Sequence, residues 1–238
     1  MYMNIRLYHS DSIVENSTSL LSQEQTHYVV NVMRLKRGSN LNFFNKDGEW
    51  ESEIVFLDKN RVEVKFLTKI KHAKSLSKIE LAICLVKKTP METLLQKATE
   101  LGVSKIIPII SERTEVKELN IKRAKKIVIE ATEQSNQLAP PEILEVIQLN
   151  DFLKKLDPST KLLFADINSQ NNLKSDDFKE SKSLCILIGP EGDFSTKERE
   201  TILKSPVVKP FTISKNILRT DTAVISAISL VNFINKFN

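Results

Sequence analysis

Residues on which many catalytic and cofactor sites depend are scarce in this chain. Its 238 residues include two cysteines, three histidines and five glycines. The histidines are scattered and no Cys/His pair has the spacing of a zinc site, so the sequence predicts no bound metal. The glycines form neither a Gly-x-Gly-x-x-Gly fingerprint nor a Walker lysine loop, which argues against a Rossmann dinucleotide site and a P-loop NTPase.

The two cysteines have the surroundings of interior residues. Cys84 lies in the apolar run 81–86 and Cys185 in the run 184–188. Continuous apolar runs of this length are typical of strands that are buried on both faces of a parallel sheet. Because a thiol buried in apolar surroundings is inert, the sequence excludes a mechanism that uses a cysteine nucleophile.

Long apolar runs are also missing. No run reaches the length that spans a membrane, and Asn4, Arg6 and Asp11 interrupt the N-terminus, where a signal peptide would need an apolar stretch. We therefore expect a cytoplasmic protein with no membrane partner. The formal charge of +5 and the pI near 9.0 favour a polyanionic partner. This excess is small, and a lysine-rich composition can produce it without any function.

Residues 1–72 have the pattern of a small β-rich domain. Strand-like runs separated by turn signals occur between residues 41 and 66. A helix is predicted over Gln23–Val32, with Ser22 as its N-cap. The basic, serine-bearing stretch Lys69–Lys78 is the expected linker to a second domain.

The rest of the chain, residues 73–238, alternates strand-like and helix-like segments, which predicts an α/β domain with a mainly parallel sheet. Two of its helices begin with the sequence of a capping box, at Thr89–Glu92 and at Ser195–Glu198. A C-terminal helix is predicted to begin near Thr220. The polar stretch 168–182 is expected to be a mobile loop.

Two loops near the C-terminus are the most informative segments of the chain. They are residues 188–195 (Ile-Gly-Pro-Glu-Gly-Asp-Phe-Ser) and 213–223 (Ile-Ser-Lys-Asn-Ile-Leu-Arg-Thr-Asp-Thr-Ala). Each follows a strand-like run and opens a helix. Strand-to-helix loops of an α/β domain gather at the carboxyl edge of the sheet, where such domains bind ligands. We therefore predict that these two loops are neighbours and form the walls of one site.

These loops resemble those of the ribosomal RNA small subunit methyltransferase E family, within the SPOUT class of knotted methyltransferases. The family's first loop is Gly-Pro-Glu-Gly-Gly-Phe-Ser, and here Asp193 replaces its last glycine. The family's second loop is Leu-Gly-x-Arg-Ile-Leu-Arg-x-Glu-Thr-Ala, and its Gly, Arg and Glu are replaced here by Ser214, Asn216 and Asp221.

Three more segments are similar to the family, at residues 27–35, 96–103 and 133–135. The resemblance therefore spans nearly the whole chain in the same order, which is far more specific than any single loop. One family feature is missing: an arginine usually follows the third segment, and Asn136 and Gln137 stand there instead.

The resemblance implies a trefoil-knotted SPOUT methyltransferase domain preceded by a PUA-like β-barrel that binds RNA. It implies S-adenosyl-L-methionine as the cofactor and N3 of a uridine in 16S ribosomal RNA of the small subunit as the methyl acceptor, with a homodimer as the active form. No metal is required, because the methyl donor carries its own activation. On this resemblance the cofactor is held by Ile188, Gly189, Pro190, Glu191, Gly192, Ile213, Ser214, Ile217, Leu218 and Thr220.

Methyl transfer to N3 needs a proton acceptor and a cation that favours the uridine anion. Arg219 is the candidate cation; the alternative is a salt bridge to Asp221 or a solvated position. Glu191 and Asp221 are the candidate proton acceptors, although Asp221 equally fits the stabilising charge of a helix N-terminus.

RNA contacts are predicted at five basic residues. Arg34, Lys36 and Arg37 would bind phosphates, which positions an RNA without reading its sequence; the alternative is a solvated basic turn. Arg6 is a further candidate. Arg113 contacts either RNA or a partner subunit on this view.

Two other functions stay open. A SPOUT relative that methylates ribose 2′-oxygen on tRNA or rRNA would share the knot and the cofactor site. A catalytically silent RNA-binding protein would be compatible with the replacements at Ser214, Asn216 and Gln137.

Overall fold

The computed structural model describes residues 5–73, 79–178 and 181–235, and their contacts divide the chain into two units. The first unit comprises the described part of Met1–Ser75 together with Thr132–Ala139, and the second unit comprises the rest. The first unit is therefore assembled from two stretches that lie far apart in the sequence.

A five-stranded sheet forms the body of the first unit. Its strands are β1 (Arg6–Tyr8), β2 (Thr18–Leu20), β3 (Asn40–Asn45), β4 (Gly48–Asp58) and β5 (Arg61–His72), in the order β1-β3-β4-β5-β2. Side chains from these strands fill one core, as the period of two in a half-buried sheet requires. That core contains Leu7, Leu41, Phe43, Trp50, Ile54, Val62, Val64 and Phe66. The predicted β-rich character of this region is confirmed.

The helix predicted near the start of the chain is also present. Helix α1 (Gln23–His27) continues directly into a π-helical turn at Tyr28–Val32. Ser22 caps it as expected: its Oγ accepts a hydrogen bond from the backbone N–H of Gln25 at 3.1 Å, and its own N–H donates to the side chain of Gln25 at 3.2 Å. The π-helical turn contributes Val29, which is fully buried, to the core.

The predicted linker Lys69–Lys78 is wrong in its first part. Lys69–His72 are the last residues of β5 and pair with β4. The ammonium of Lys69 lies 4.8 Å from the ring centroid of Trp50, so basic side chains pack on this hairpin after the apolar alternation has ended. Residues 74–78 of the predicted linker lie outside the described residues.

A buried carboxylate, Glu49, organises a polar cluster in the first unit. It accepts hydrogen bonds from Arg6 (Nε and Nη2, both 3.1 Å), from Lys71 (2.7 Å) and from Asn42 (2.9 Å). Burial alone would raise the pKa of Glu49, but these hydrogen bonds outweigh it and hold the pKa below its ordinary value. These four residues, called the Glu49 cluster below, therefore keep a charged carboxylate inside the unit.

Residues 132–139 bind to the same unit. The backbone N–H of Tyr8 donates to the carboxylate of Glu133 at 2.9 Å, and Lys71 donates to the side-chain oxygen of Asn136 at 2.9 Å. The sequence pattern places this segment in the predicted domain 73–238, because no local pattern shows a contact between residues 125 positions apart.

A seven-stranded parallel sheet forms the centre of the second unit. Its strands are β6 (Ile79–Cys84), β7 (Lys105–Ile110), β8 (Glu142–Ile143), β9 (Ile147–Gln148), β10 (Thr160–Ala165), β11 (Ser183–Ile188) and β12 (Val208–Phe211). The order is β12-β10-β11-β6-β7-β8, with β9 also beside β7, and all of these pairs are parallel. The expected α/β domain with a mainly parallel sheet is confirmed.

Helices cover both faces of this sheet. They are α2 (Lys88–Glu100), α3 (Ile121–Gln134), α4 (Leu149–Lys155), α5 (Thr196–Leu203) and α6 (Thr220–Asn235). On β6, Leu81 and Ile83 join the core with α2, α3 and α6, whereas Ala82 and Cys84 join the core with α4 and α5. Burial on both faces explains the continuous apolar run. Within the described ranges, no helix is long and apolar enough to cross a membrane.

One of the two predicted capping boxes is wrong. Helix α2 begins at Lys88, so Thr89 already lies inside the first turn, and the residue at the N-cap, Lys87, makes no side-chain cap. The carboxylate of Glu92 binds the guanidinium of Arg123 on α3, with both contacts at 3.2 Å. The Glu92 side chain, which the local pattern assigned to the cap, thus forms a contact between α2 and α3 instead.

The polar stretch 168–182, expected to be a mobile loop, is anchored to the second unit. Leu173 and Phe178 are buried in the core, and Ser175–Phe178 form a 3-10 turn. The sparse apolar residues of a polar segment were enough to fix it. Residues 179 and 180 lie outside the described residues.

Candidate functional site

The two predicted loops follow β11 and β12, and both leave the carboxyl edge of the parallel sheet. They are not on adjacent strands, because β10 lies between β11 and β12 in the sheet order. The prediction of neighbouring loops is corrected accordingly: one strand end separates them. Asp166 is the first residue after that strand, so it lies at the sheet edge between the two loops.

The start of the first loop is packed into the interior. Ile188 and Pro190 are buried, while Gly189 is half-buried. A Cβ added to Gly189 would lie 3.1 and 3.2 Å from two ring carbons of Phe194, and this ring in turn packs edge-on against Phe164. Gly189 is thus required by a close approach within the loop itself.

The replacement of a family glycine by Asp193 falls at the one left-handed position of this loop. The backbone of Asp193 has a φ of 58°, a region that aspartate adopts more readily than most residues. Its N–H donates to the carbonyl of Pro190 at 3.0 Å, and its carboxylate accepts from the N–H of Phe194 at 2.7 Å. The substitution is therefore accommodated by the turn.

The tip of the loop is open to solvent. Glu191 and Gly192 are both exposed, and within the described residues the carboxylate of Glu191 has no hydrogen-bond or ion-pair partner. The guanidinium of Arg113, in the loop after β7, donates to the carbonyl of Gly192 at 2.9 Å. Arg113 thus contacts the loop predicted to hold the cofactor, and its predicted contact with RNA or a partner subunit stays a prediction.

The second loop tolerates Ser214 in place of the family glycine. Its φ is not left-handed, so no glycine-specific conformation is needed. The serine Oγ accepts a hydrogen bond from the N–H of Asn216 at 3.0 Å, and its carbonyl accepts from the hydroxyl of Thr212 at 3.1 Å. After this turn Ile217 is 88% exposed, which is an unusual position for an isoleucine, while Ile213 and Leu218 are half-buried.

Arg219, Thr220 and Asp221 lie at the start of α6. The carbonyl of Arg219 accepts the N–H of Ala223 at 2.8 Å, so Arg219 occupies the N-cap position, and Thr220 is buried. The side chain of Arg219 is exposed and has no ion pair or hydrogen bond within residues 5–73, 79–178 and 181–235. The carboxylate of Asp221 accepts from the N–H of Thr222 at 2.7 Å. The alternative salt bridge between Arg219 and Asp221 is therefore not formed.

The structure separates the predicted RNA-binding residues of the first unit into two groups. Arg34, Lys36 and Arg37 are exposed, and their side chains have no partner in the described part of the chain. Arg6 differs, because its side chain is only 10% exposed. Besides its two bonds to Glu49 it donates to the carbonyls of Glu133 (3.0 Å) and Gln137 (2.8 Å).

Arg6 also stacks on a ring: its guanidinium carbon lies 4.3 Å from the ring centroid of Phe44. Four of the five N–H donors of Arg6 bind protein acceptors and one face of its guanidinium is covered, so Arg6 has a structural role inside the Glu49 cluster. Its contact with RNA stays a prediction.

Asp166 makes an ion pair beside the two loops that was not predicted from the sequence. Asp166 is buried and binds Arg199 of α5 at 2.8 to 3.2 Å, and its backbone N–H donates to the carbonyl of Phe211 at 2.9 Å. The hydrogen bond from Arg199 to this carboxylate raises the pKa of Arg199. The sequence shows that Asp166 follows a strand, but the position of Asp166 between the two loops depends on the order of the strands in the sheet.

Neither metal nor thiol chemistry is favoured at this edge. In the part of the chain that the structure describes, no group of three His, Cys, Asp or Glu side chains could hold a metal ion. Burial raises the pKa of Cys84 to about 12 and raises the pKa of Cys185 as well. Both thiols are interior packing groups, in agreement with their apolar strands.

Two family models match the chain. The model of the RNA methyltransferase domain matches residues 72–232, and the model of the RNA methyltransferase PUA domain matches residues 21–67. The expected PUA-like N-terminal domain is thereby confirmed. The trefoil knot that the resemblance implies stays a prediction.

Relatives and solved structures agree with these matches. The ribosomal RNA small subunit methyltransferase E of Rickettsia conorii is 35% identical over 97% of this chain and 96% of its own length. That of Bacillus subtilis is 30% identical over 93% of this chain and 92% of its own.

The crystal structure of a ribosomal RNA small subunit methyltransferase E from Neisseria gonorrhoeae, bound to S-adenosyl methionine, is similar to this chain with a TM-score of 0.87. The two chains are 28% identical, and the similarity covers 98% of each. A putative methyltransferase from Legionella pneumophila with bound SAM has a TM-score of 0.83 with 30% identity, and the similarity covers 97% of this chain and 98% of that one. The resemblance predicted from the two loops is confirmed, and this chain belongs to the ribosomal RNA small subunit methyltransferase E family.

Proposed function

We propose that this chain transfers the methyl group of S-adenosyl-L-methionine to N3 of a uridine in the 16S RNA of the small ribosomal subunit. The observation that carries the proposal is the placement of the two family loops, 188–195 and 213–223, at one carboxyl edge of the parallel sheet. We further propose a cytoplasmic location, RNA binding by residues 1–72 and chemistry in residues 73–238.

The residues of the two loops fit a ligand with an apolar ring and a polar tail. The backbone of Gly192 is exposed, and a Cβ there would meet only Arg113, so a ligand can approach closely. Ile217, exposed as an isoleucine rarely is, can cover an adenine face once a ligand is present. We assign cofactor binding to the set predicted from the resemblance: Ile188, Gly189, Pro190, Glu191, Gly192, Ile213, Ser214, Ile217, Leu218 and Thr220.

The chain's own groups have two tasks in this reaction. When bound, S-adenosylmethionine supplies a methyl group on a positively charged sulfur, so the protein must place the uracil and handle the N3 proton. Arg219 is an exposed guanidinium without a protein partner in the described residues, and it can bind the uracil oxygen that gains charge as N3 loses its proton.

The proton acceptor that fits best is Glu191. Asp221 accepts the backbone N–H of Thr222 in the first turn of α6, so its carboxylate already has a partner and its charge stabilises the helix N-terminus. Glu191 is exposed at the tip of the first loop and has no competing partner in the described chain. We therefore propose Glu191 as the acceptor and assign Asp221 to the stability of α6.

Replacement of Arg219 by alanine tests the catalytic assignment. A preorganised charge of this kind contributes about a hundred- to a thousandfold to the rate, so Arg219→Ala should lose that factor in single-turnover methylation of small-subunit particles. Lys215→Ala is the matched control, because Lys215 is another exposed cation of the same loop. Near-normal turnover by a stably folded Arg219→Ala variant would remove Arg219 from the site.

Two measurements separate the alternatives. Nucleoside analysis of the methylated RNA should reveal a base methylation at uridine N3, and methylation of a ribose 2′-oxygen would favour the other SPOUT activity. Calorimetry with S-adenosylhomocysteine should reveal binding to the whole protein. The absence of binding would favour a catalytically silent RNA-binding protein.

We also propose that the chain acts as a homodimer. Phe233 on α6 is 65% exposed, and a large aromatic side chain on the surface favours contact with a second copy. Sedimentation at micromolar concentration should give a dimer, whereas a monomer with full activity would contradict the proposal.

A further inference from the structure

Glu198 is a buried carboxylate whose bonds reach beyond its own helix. It is 6% exposed and has no ion-pair partner in the described chain. One oxygen accepts the N–H of Ser195 at 3.0 Å, which completes the predicted capping box of α5 together with the bond from Glu198 N–H to Ser195 Oγ at 3.2 Å. The other oxygen accepts the N–H of Glu112 at 2.8 Å, 86 positions earlier. A capping box needs only the first of these oxygens.

The loop that contains Glu112 is itself well ordered. Residues 111–114 follow β7, and we call them the β7 loop. Ser111 and Thr114 are buried, and they close a short turn with a bond from the N–H of Ser111 to the hydroxyl of Thr114 at 2.9 Å and one from the N–H of Thr114 to the carbonyl of Ser111 at 3.2 Å. The β7 loop is therefore fixed by burial and by its own hydrogen bonds.

The same loop holds the Gly-Pro-Glu-Gly turn at a second point. Arg113, next to Glu112, donates to the carbonyl of Gly192 at 2.9 Å, and its Cβ is 3.6 Å from the position of a Cβ on Gly192. Two consecutive residues of the β7 loop thus contact the two ends of the segment 192–195. Arg113 donates to the carbonyl of Gly192 at one end. At the other end, the Glu198 carboxylate accepts both the N–H of Glu112 and the N–H of Ser195.

We propose that Glu198 is a positioning residue for methyl transfer. Its carboxylate joins the β7 loop to the end of the first loop, and together with Arg113 it fixes the backbone of Gly192 in place before the cofactor binds. A backbone that is already fixed loses less entropy on binding, so the two ties raise cofactor affinity. The inference rests on the proposed function, because it assumes that Gly192 faces the cofactor.

Three variants test the role of Glu198. Glu198→Ala removes both carboxylate contacts, to Glu112 and to Ser195, and leaves the Arg113 tie in place. The Kd for S-adenosylhomocysteine should rise about ten- to a hundredfold, the loss that removing a charge-assisted hydrogen bond brings. Glu198→Gln keeps the size and one acceptor oxygen, so it should recover part of this loss. Ser195→Ala is the matched control: it removes the bond to Glu198 N–H but leaves both carboxylate contacts, so it should lower Tm without changing Kd.

A purely structural role gives a different pattern. If Glu198 only caps α5, then Glu198→Ala and Ser195→Ala lower Tm alike and both keep the wild-type Kd, which would overturn the proposal. Should Glu198→Ala fail to fold, Arg113→Ala breaks the second tie from an exposed position, and an unchanged Kd in that variant would equally overturn it. Wild-type binding is measured first: if the wild type does not bind S-adenosylhomocysteine, it is the proposed function that fails.

Discussion

The two glycines of the Gly-Pro-Glu-Gly loop should respond to the same substitution in opposite ways. A Cβ at Gly189 would lie 3.1 and 3.2 Å from ring carbons of Phe194, closer than ordinary van der Waals contact. Phe194 is buried and packs against Phe164 with ring centroids 5.7 Å apart, so the ring has little room to move. At Gly192 the Cβ would meet Arg113 at 3.6 Å, an ordinary contact.

The magnitudes follow from these distances. Overpacking costs about 1–3 kcal/mol, and Gly189→Ala recovers about 0.4–1 kcal/mol from the unfolded chain, since Gly189 does not have a left-handed φ. We expect the free energy of unfolding to fall by about 1–2 kcal/mol and Tm by about 2–8 °C. Gly192→Ala should keep or slightly raise Tm. On the proposed function it should still weaken cofactor binding, because a methyl group at Gly192 would keep a ligand from approaching the backbone closely.

Differential scanning calorimetry and titration with S-adenosylhomocysteine measure both effects on the whole protein. Stability and affinity should respond separately: Gly192→Ala should be stable and bind weakly, and Gly189→Ala should be less stable than the wild type. If Gly192→Ala binds the ligand as tightly as the wild type, Gly192 does not face the cofactor. If Gly189→Ala keeps the wild-type Tm, the contact with Phe194 is not a packing constraint.

Three further outcomes are expected. Changing Arg34, Lys36 and Arg37 together to alanine should weaken binding to 16S RNA and reduce its salt dependence while cofactor affinity is unchanged; unaltered RNA binding would identify a solvated turn. Because the pKa of Glu49 is lowered in the folded state, its contribution to stability is complete above its ordinary value of 4.5 and is lost as pH falls through the lower, folded-state pKa, so acid titration should unfold the wild type more steeply than Glu49→Gln. With a pKa of about 12 for Cys84, neither cysteine should react with Ellman's reagent at pH 8 until denaturant is added, and rapid labelling of the native protein would contradict their burial.

Local chemistry explains which elements the sequence could predict. The strands around Cys84 and Cys185 were visible because both faces are buried, and the capping box at Ser195 was visible because all its atoms lie within four residues. The box at Thr89 failed for the opposite reason: the carboxylate that should have closed it binds a helix 31 positions away.

The site was predictable in its composition and not in its arrangement. The loops could be found from their residues, but the strand between them is set by the sheet order, which no local pattern contains. Arg6 was assigned to RNA because the sequence shows a lone arginine, while its acceptors lie 43, 127 and 131 positions away. Serine is tolerated at position 214 because its backbone φ is not left-handed, and the sequence does not show that angle.

The membership of residues 132–139 in the first unit has a consequence for dividing or recombining this gene. A fragment that ends at residue 72 would keep all five strands, yet Arg6 would lose two carbonyl acceptors and the N–H of Tyr8 would lose the Glu133 carboxylate. The buried charge of Glu49 would then lie in a cluster in which Arg6 lacks two of its hydrogen-bond acceptors. An exchange of N-terminal domains between relatives should therefore include residues 132–139. Otherwise the hydrogen bonds of Arg6 and Tyr8 would have to form between segments from two different proteins.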